Sequence, residues 1–308
     1  MAAVITHYLF GRTLYEQADP SLFPAREDFE AFMLGNQGPD VLFFNPSSAS
    51  VGSAMHKADA ALLISCMKDA ANMLPEGMRS TGQSYVRGLY CHFLLDSAVH
   101  PLIYAQQKEL LNAGVEGLGQ NDGPEVHAEM EADLDILALS QIDGVTIASF
   151  DTALALEASP QTAHIISLMH KYVAKCALDA DLRPDAYATS LDAYRLVLMA
   201  LRSPKGVKRG IIGLAERMFR KHSIARAMSH RNQFLEESPF DNHEHAPWTH
   251  PGTDEMRTDS FWDLYRRAQA RARTEMPLMM DEGFDMATAT RGTDFDGNPT
   301  RPLIVSVE

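Results

Sequence analysis

Between Ser80 and Pro101 the chain runs through an apolar stretch that includes Tyr90, Phe93, Leu94 and Leu95. Set into it at intervals of four residues are His92, Asp96 and His100. Helical spacing puts those three side chains on one face. The flanking residues are apolar enough to bury that face, and a buried carboxylate needs a partner or a cation to offset its desolvation. The segment therefore predicts a buried helix over 81–99, with Ser80 or Thr81 as its cap and Pro101 near its end.

The rest of the chain reads as further helices joined by short loops. Residues 26–34 look helical, with Gly35 as their stop. Residues 51–74 place Met55, Leu62, Leu63, Cys66, Ala70 and Met73 at helical spacing and end before Pro75. A helix over 124–139 starts at Pro124, a good first-turn residue. Residues 149–179 predict a long helix broken at Ser159-Pro160, and further helices fit 186–202, 209–229 and 258–278. Stretches of alternating β-branched residues are almost absent, so the predicted class is all-α. Residues 232–257 read as loop and 281–308 as a loosely structured tail. The expected organisation is one domain overall, a helical body over 1–231 with the loop, helix and tail of 232–308 packed on it.

The 308 residues are 45% hydrophobic, which supplies a sizeable core and excludes a mainly disordered chain. No apolar run approaches the length of a membrane span. The net charge of −14 argues against a long nucleic acid as partner. Cys66, Cys91 and Cys176 are an odd number and far apart, so reduced, buried thiols are expected. The first residues lack a basic n-region, and His7 interrupts their apolar run. These features point to a cytoplasmic location. Residues 202–231 carry nine Lys/Arg against the single acid Glu216. That segment reads as a solvated face or an internal pairing surface, and otherwise as a peripheral membrane contact.

Histidine placement carries the chemistry. His127 and Glu131 repeat the i, i+4 pairing of His92 and Asp96, and His7 and His56 lie on preceding segments. One such pair is usually a weak surface ion pair. Two pairs, one embedded in apolar sequence, together with further histidines point to a metal cluster, and neutral imidazole with carboxylate oxygen is a ligand set that zinc takes. Other motifs fall away. Asp294-Phe-Asp296-Gly-Asn298 begins like a calcium loop, but Pro299 and Val305 stand where its glycine and glutamate belong, so it reads as a turn. There is no Gly-rich phosphate loop and no Gly-x-Ser-x-Gly. His164 and His170 read as structural, and His222 and His230 as solvent-facing. The stretch from Asn242 to Pro251 reads as a polar loop anchored by Trp248 rather than as a source of late ligands.

The ordered set Thr6-His7, Gly35-Asn-Gln-Gly38-Pro39-Asp40, Met55-His56, His92-x-x-x-Asp96-x-x-x-His100-Pro101 and His127-x-x-x-Glu131 resembles the bacterial zinc-dependent phospholipase C family. It is similar, more distantly, to the zinc nucleases that share that helical fold. The resemblance covers about residues 1–135 by motif. It implies a helical domain of that type, with two or three zinc ions in a cleft. Carried over by motif, Asp40, His56, His92 and Asp96 hold one ion, and His100, His127 and Glu131 a second. His7 and Asp96 hold a third, with Asp96 bridging, and Asp40 doubles as general base. Secreted members complete the third site with an N-terminal tryptophan, and Trp248 and Trp262 are the only tryptophans here. The implied reaction is hydrolysis of a phosphodiester in a phospholipid or another phosphoester, with Phe43 and Phe44 as candidates for an apolar mouth. A nucleotide-directed phosphoesterase and a non-catalytic metal-binding protein are the alternatives.

Overall fold

The buried segment around His92 folds as one helix from Glu76 to Asn112, well beyond the expected 81–99 and straight through Pro101. Proline cannot donate to the carbonyl one turn back. That carbonyl, on Ser97, is covered by Gly297, where a Cβ would come within 2.5 Å of the oxygen. A chain segment from the far end of the sequence thus packs where the helix ladder is interrupted.

The computed structural model describes residues 3–114, 118–201 and 230–300. Among them are ten α-helices and a two-residue antiparallel pair, so the architecture is all-α. The helices are α1 (Val4–Gln17), α2 (Arg26–Gln37), α3 (Ala49–Lys57), α4 (Ala60–Asn72), α5 (Glu76–Asn112), α6 (Gly123–Ala138), α7 (Pro160–Leu178), α8 (Ala186–Leu201), α9 (Phe261–Glu275) and α10 (Met286–Thr290). The pair is β1 (Trp248–Thr249) with β2 (Met256–Arg257). Helix α5 is the hub, packed by α2, α4, α6, α7 and α9. Its tightest neighbour is α2. A Cβ on Gly35 would lie 2.3 Å from Tyr85 O, and one on Gly88 would lie 2.2 Å from Phe32 O. Gly35 is therefore a close-approach residue rather than the stop expected of it. Gly38, at φ +56°, ends α2.

Several boundaries differ from the sequence reading for local reasons. The run 51–74 splits because Asp59 caps a new helix, accepting from Leu62 N–H at 2.9 Å. Only the short turn Thr152–Leu156 precedes α7, which starts at Pro160 after its cap Ser159. Helix α1 was not expected, because Ala3 at its start offers no capping side chain. The cap comes from Asp135 on α6. Its carboxylate accepts from Ile5 N–H at 3.1 Å and from Thr6 N–H and Thr6 Oγ1, both at 2.7 Å. The tail is also more ordered than expected, up to residue 300. Phe295 is fully buried, and α10 lies within it.

Cys66 and Cys176 form a disulfide between α4 and α7, correcting the expectation of reduced thiols. The packing of these helices sets their Cα atoms 6.3 Å apart, inside the disulfide range. Cys91 is free and buried. The thiol argument for a cytoplasmic location therefore falls away. No helix among the described residues is long and apolar enough to cross a membrane. The expected helix 209–229 lies outside the described residues, as does all of the basic segment 202–231 except its last two. Those two pair internally. Arg231 forms an ion pair with buried Asp133, and His230 donates from Nε2 to Asp135 at 2.8 Å instead of facing solvent.

His170 is the structural histidine of the core. It is fully buried, with Nε2 2.6 Å from the Tyr85 hydroxyl and its ring stacked on Tyr187. Burial pushes its pKa from 6.5 down to about 3. The unfolded chain therefore takes up a proton that the folded chain refuses, and stability is lost as pH falls from 6.5 toward 3. His170→Gln should flatten that part of the stability–pH curve, measured as urea midpoints at pH 7 and pH 5. A difference between the midpoints equal to that of the parent would contradict this.

Candidate metal centre

Five elements bring the eight sequence-predicted ligands together. His7 comes from α1, Asp40 from the short 3-10 segment Gly38–Phe44, His56 from α3, His92, Asp96 and His100 from α5, and His127 and Glu131 from α6. None of the eight is more than 8% exposed. Their ligand atoms fall into three groups, each within 4.8 Å: His7, His92 and Asp96; Asp40, His56 and His92; and His100, His127 and Glu131. His92 belongs to two groups, whereas the family pattern also places Asp96 with Asp40 and His56. Asp96 lies between the groups. Its Oδ1 is 2.9 Å from His7 Nε2 and 3.8 Å from His100 Nε2, and its Oδ2 is 3.1 Å from His92 Nε2.

Four of the five imidazoles are held in the same way. His56 Nδ1 donates to Gly52 O at 2.9 Å and His92 Nδ1 to Asn36 O at 3.1 Å. His100 Nδ1 donates to Asp296 Oδ1 at 3.0 Å and His127 Nδ1 to Gln107 Oε1 at 3.1 Å. A ring with its proton fixed on Nδ1 presents the Nε2 lone pair. All four Nε2 atoms turn toward carboxylates: His56 to Asp40 at 2.7 Å, His92 to Asp96, and His100 and His127 to Glu131 at 3.6 and 3.3 Å. His7 differs, with Nδ1 3.3 Å from His92 Nδ1.

Two atoms at the centre fit a cation in particular. His92 Nε2 and Asp96 Oδ2 are buried, and neither makes a hydrogen bond, because their 3.1 Å approach is not aligned as one. Buried polar atoms are rarely left so. A cavity of about 20 Å³, large enough for a single water or ion, is lined by His7, Asp96, His100 and Glu131 among others. Burial alone would raise the Asp96 carboxyl. The imidazoles of His92, His100 and His7 outweigh it and hold Asp96 well below the usual range. Burial likewise works against a charge on His100, but Asp96, Asp296 and Glu131 raise its pKa well above 6.5. Where burial wins, as at His92 and His127, the imidazole is held neutral, the form that binds metal. These buried groups are able to hold a metal ion.

The family pattern does not include the residues behind the ligands. Asp296 and Tyr104 meet at His100, with Tyr104 OH donating to Asp296 Oδ1 at 3.1 Å. Asp135 caps the helix that carries His7. Tyr104 and Asp135 continue the four-residue stripes of His100 and Glu131, a signal present in the sequence. Phe44 stacks on Tyr194 with ring centroids 3.5 Å apart, as a core residue would. Phe43 is half-buried, with its ring 5.1 Å from that of His56, beside the cluster. The loop from Asn242 to Pro251 supplies no ligand to the three groups. Trp248 is buried there and donates from Nε1 to Asp259 O at 3.0 Å. No protein-family model, curated protein or solved structure matches this chain.

Proposed function

We propose that this chain is a zinc-dependent phosphoester hydrolase with a fold of the phospholipase C type, holding two or three ions. One ion sits among Asp40, His56 and His92 and another among His100, His127 and Glu131. A third is held by His7 and Asp96, with His92 shared. The observation that carries this reading is the convergence of Nε2 atoms, each on a ring tied back through Nδ1, around carboxylates that include the unbonded Asp96 Oδ2. A purely structural histidine cluster has no need to bring imidazole nitrogens and carboxylate oxygens together in three such groups, each within 4.8 Å.

Zinc bound there would acidify water and offset the charge that develops on a phosphoryl group during in-line displacement. The chain's own residues do the rest. Asp40, aligned by its 2.7 Å contact with His56 Nε2, is the carboxylate that takes a proton from the attacking water. Asp96 balances positive charge between the three groups. Phe43 gives the rim beside His56 an apolar surface suited to the glycerol and acyl portion of a phospholipid. The net charge of −14 disfavours a long polynucleotide but not a nucleotide.

Elemental analysis of protein purified without chelator tests the reading, followed by assay against phosphatidylcholine and against nucleotides. Two or three zinc per chain with hydrolysis of the lipid is the expected result. Hydrolysis of nucleotides alone would move the substrate class. Zinc without hydrolysis of either would leave a non-catalytic metal-binding protein. No zinc after reconstitution would overturn the proposal.

A further inference from the structure

We propose that Asp296, delivered by the turn Thr293–Pro299, is a positioning residue of the metal centre that fixes His100 so that its Nε2 faces Glu131 and Asp96. The inference rests on the metal-dependent reading above and adds a residue 196 positions away from the histidine it holds.

The turn is built to deliver this carboxylate. Thr293 and Pro299 pair across its base, and Asp294 N–H donates to Asn298 O at 2.9 Å. Gly297 takes φ +75°, and its missing Cβ lets it lie on Ser97 O and Pro101 of α5. Phe295 N–H donates to His56 O at 3.1 Å, and its buried ring lies 5.7 Å from that of His92. The turn is also fastened beyond its ends. Ala60 N–H donates to Thr293 O at 3.1 Å and Thr300 Oγ1 to Asp59 Oδ2 at 2.6 Å. Asp296 is thus held between a backbone that touches His56 and the helix that carries His100.

The kind of acceptor matters. His56 and His92 donate to backbone carbonyls and His127 to an amide, but His100 donates to a carboxylate. A carboxylate fixes the tautomer and also makes the imidazole a stronger donor to metal, and such partners change metal affinity 10–100-fold when removed. Tyr104 OH occupies the same oxygen and fixes the orientation of the carboxylate.

Cobalt titration of metal-stripped, full-length protein tests this, followed by visible absorption and by zinc competition. In Asp296→Asn the shape and the acceptor oxygen remain and the charge is lost. We expect one ion to bind about 10–100-fold more weakly than in the parent, with an altered cobalt spectrum, while the other ions bind as before. Asp296→Ala should show the larger loss, and Tyr104→Phe a smaller one. A merely structural role for Asp296 would lower the melting temperature of the stripped protein and leave affinity and spectrum unmoved, which would overturn the proposal. Should Asp296→Ala fail to fold, Asp296→Asn decides. A parent protein that binds no cobalt would instead overturn the metal-dependent reading itself.

Discussion

Asp96→Asn is expected to cost the protein at least one bound ion per chain and to abolish hydrolysis. Among the described residues, Asp96 is the carboxylate in contact with three imidazoles, those of His7, His92 and His100. The amide keeps its shape but removes its charge, and it turns one ligand oxygen into an NH2 group that cannot coordinate. The groups around His7 and His92 then lose their only carboxylate ligand other than Asp40. Both losses act on the same centre, so the effect on activity exceeds that of removing one helix-surface acid. Zinc content by elemental analysis, with circular dichroism to show that the helices persist, measures it. His164→Gln, on an exposed face of α7, is the matched control and should change nothing. Zinc content in Asp96→Asn equal to that of the parent would remove Asp96 from the centre.

How legible the centre was depends on how its parts are spaced along the chain. His92, Asp96 and His100 share one helix, as do His127 and Glu131, so a period of four residues exposes them in the sequence. Asp40, His56 and His7 sit on three other elements, and only the ordered resemblance ties them to the rest. Asp296 was not legible as part of the site. Its turn follows the first positions of a calcium loop, and nothing local says that Gly297 will rest on Ser97. The all-α class follows from periodicity, but α1 was hidden because its cap is Asp135, about 130 residues away. In the same way Gly35 has the local look of a helix stop, and only the approach of Gly88 explains its real use. Capping by distant groups and backbone contact between helices are tertiary facts that leave little trace in a sequence window.

Chelation should lower the melting temperature by about 10 °C or more, and the architecture of the centre dictates the sign. Five elements, α1, the Gly38–Phe44 segment, α3, α5 and α6, place ligands within a few ångströms of one another. A cation that binds only this folded arrangement stabilises it by mass action, about 2.7 kcal/mol for each site when the free ion is at roughly 100 times its Kd. Two such sites give about 5 kcal/mol, and a chain of this size shifts by roughly 2 °C for each kcal/mol. Stripping the ions also leaves Asp40, Asp96 and Glu131 buried together, with the neighbouring imidazoles among the groups that must compensate their charge. The ligand set further predicts which ion restores the loss. Imidazole-rich sites suit zinc, whereas magnesium seeks oxygen ligands and keeps its waters. Zinc added back should therefore recover the parent melting temperature, and an equal concentration of magnesium should not. A melting curve unmoved by chelator, with elemental analysis showing that the metal has left, would mean that hydrogen bonds between these elements, such as Thr6 to Asp135 and His127 to Gln107, hold them together without help from a cation.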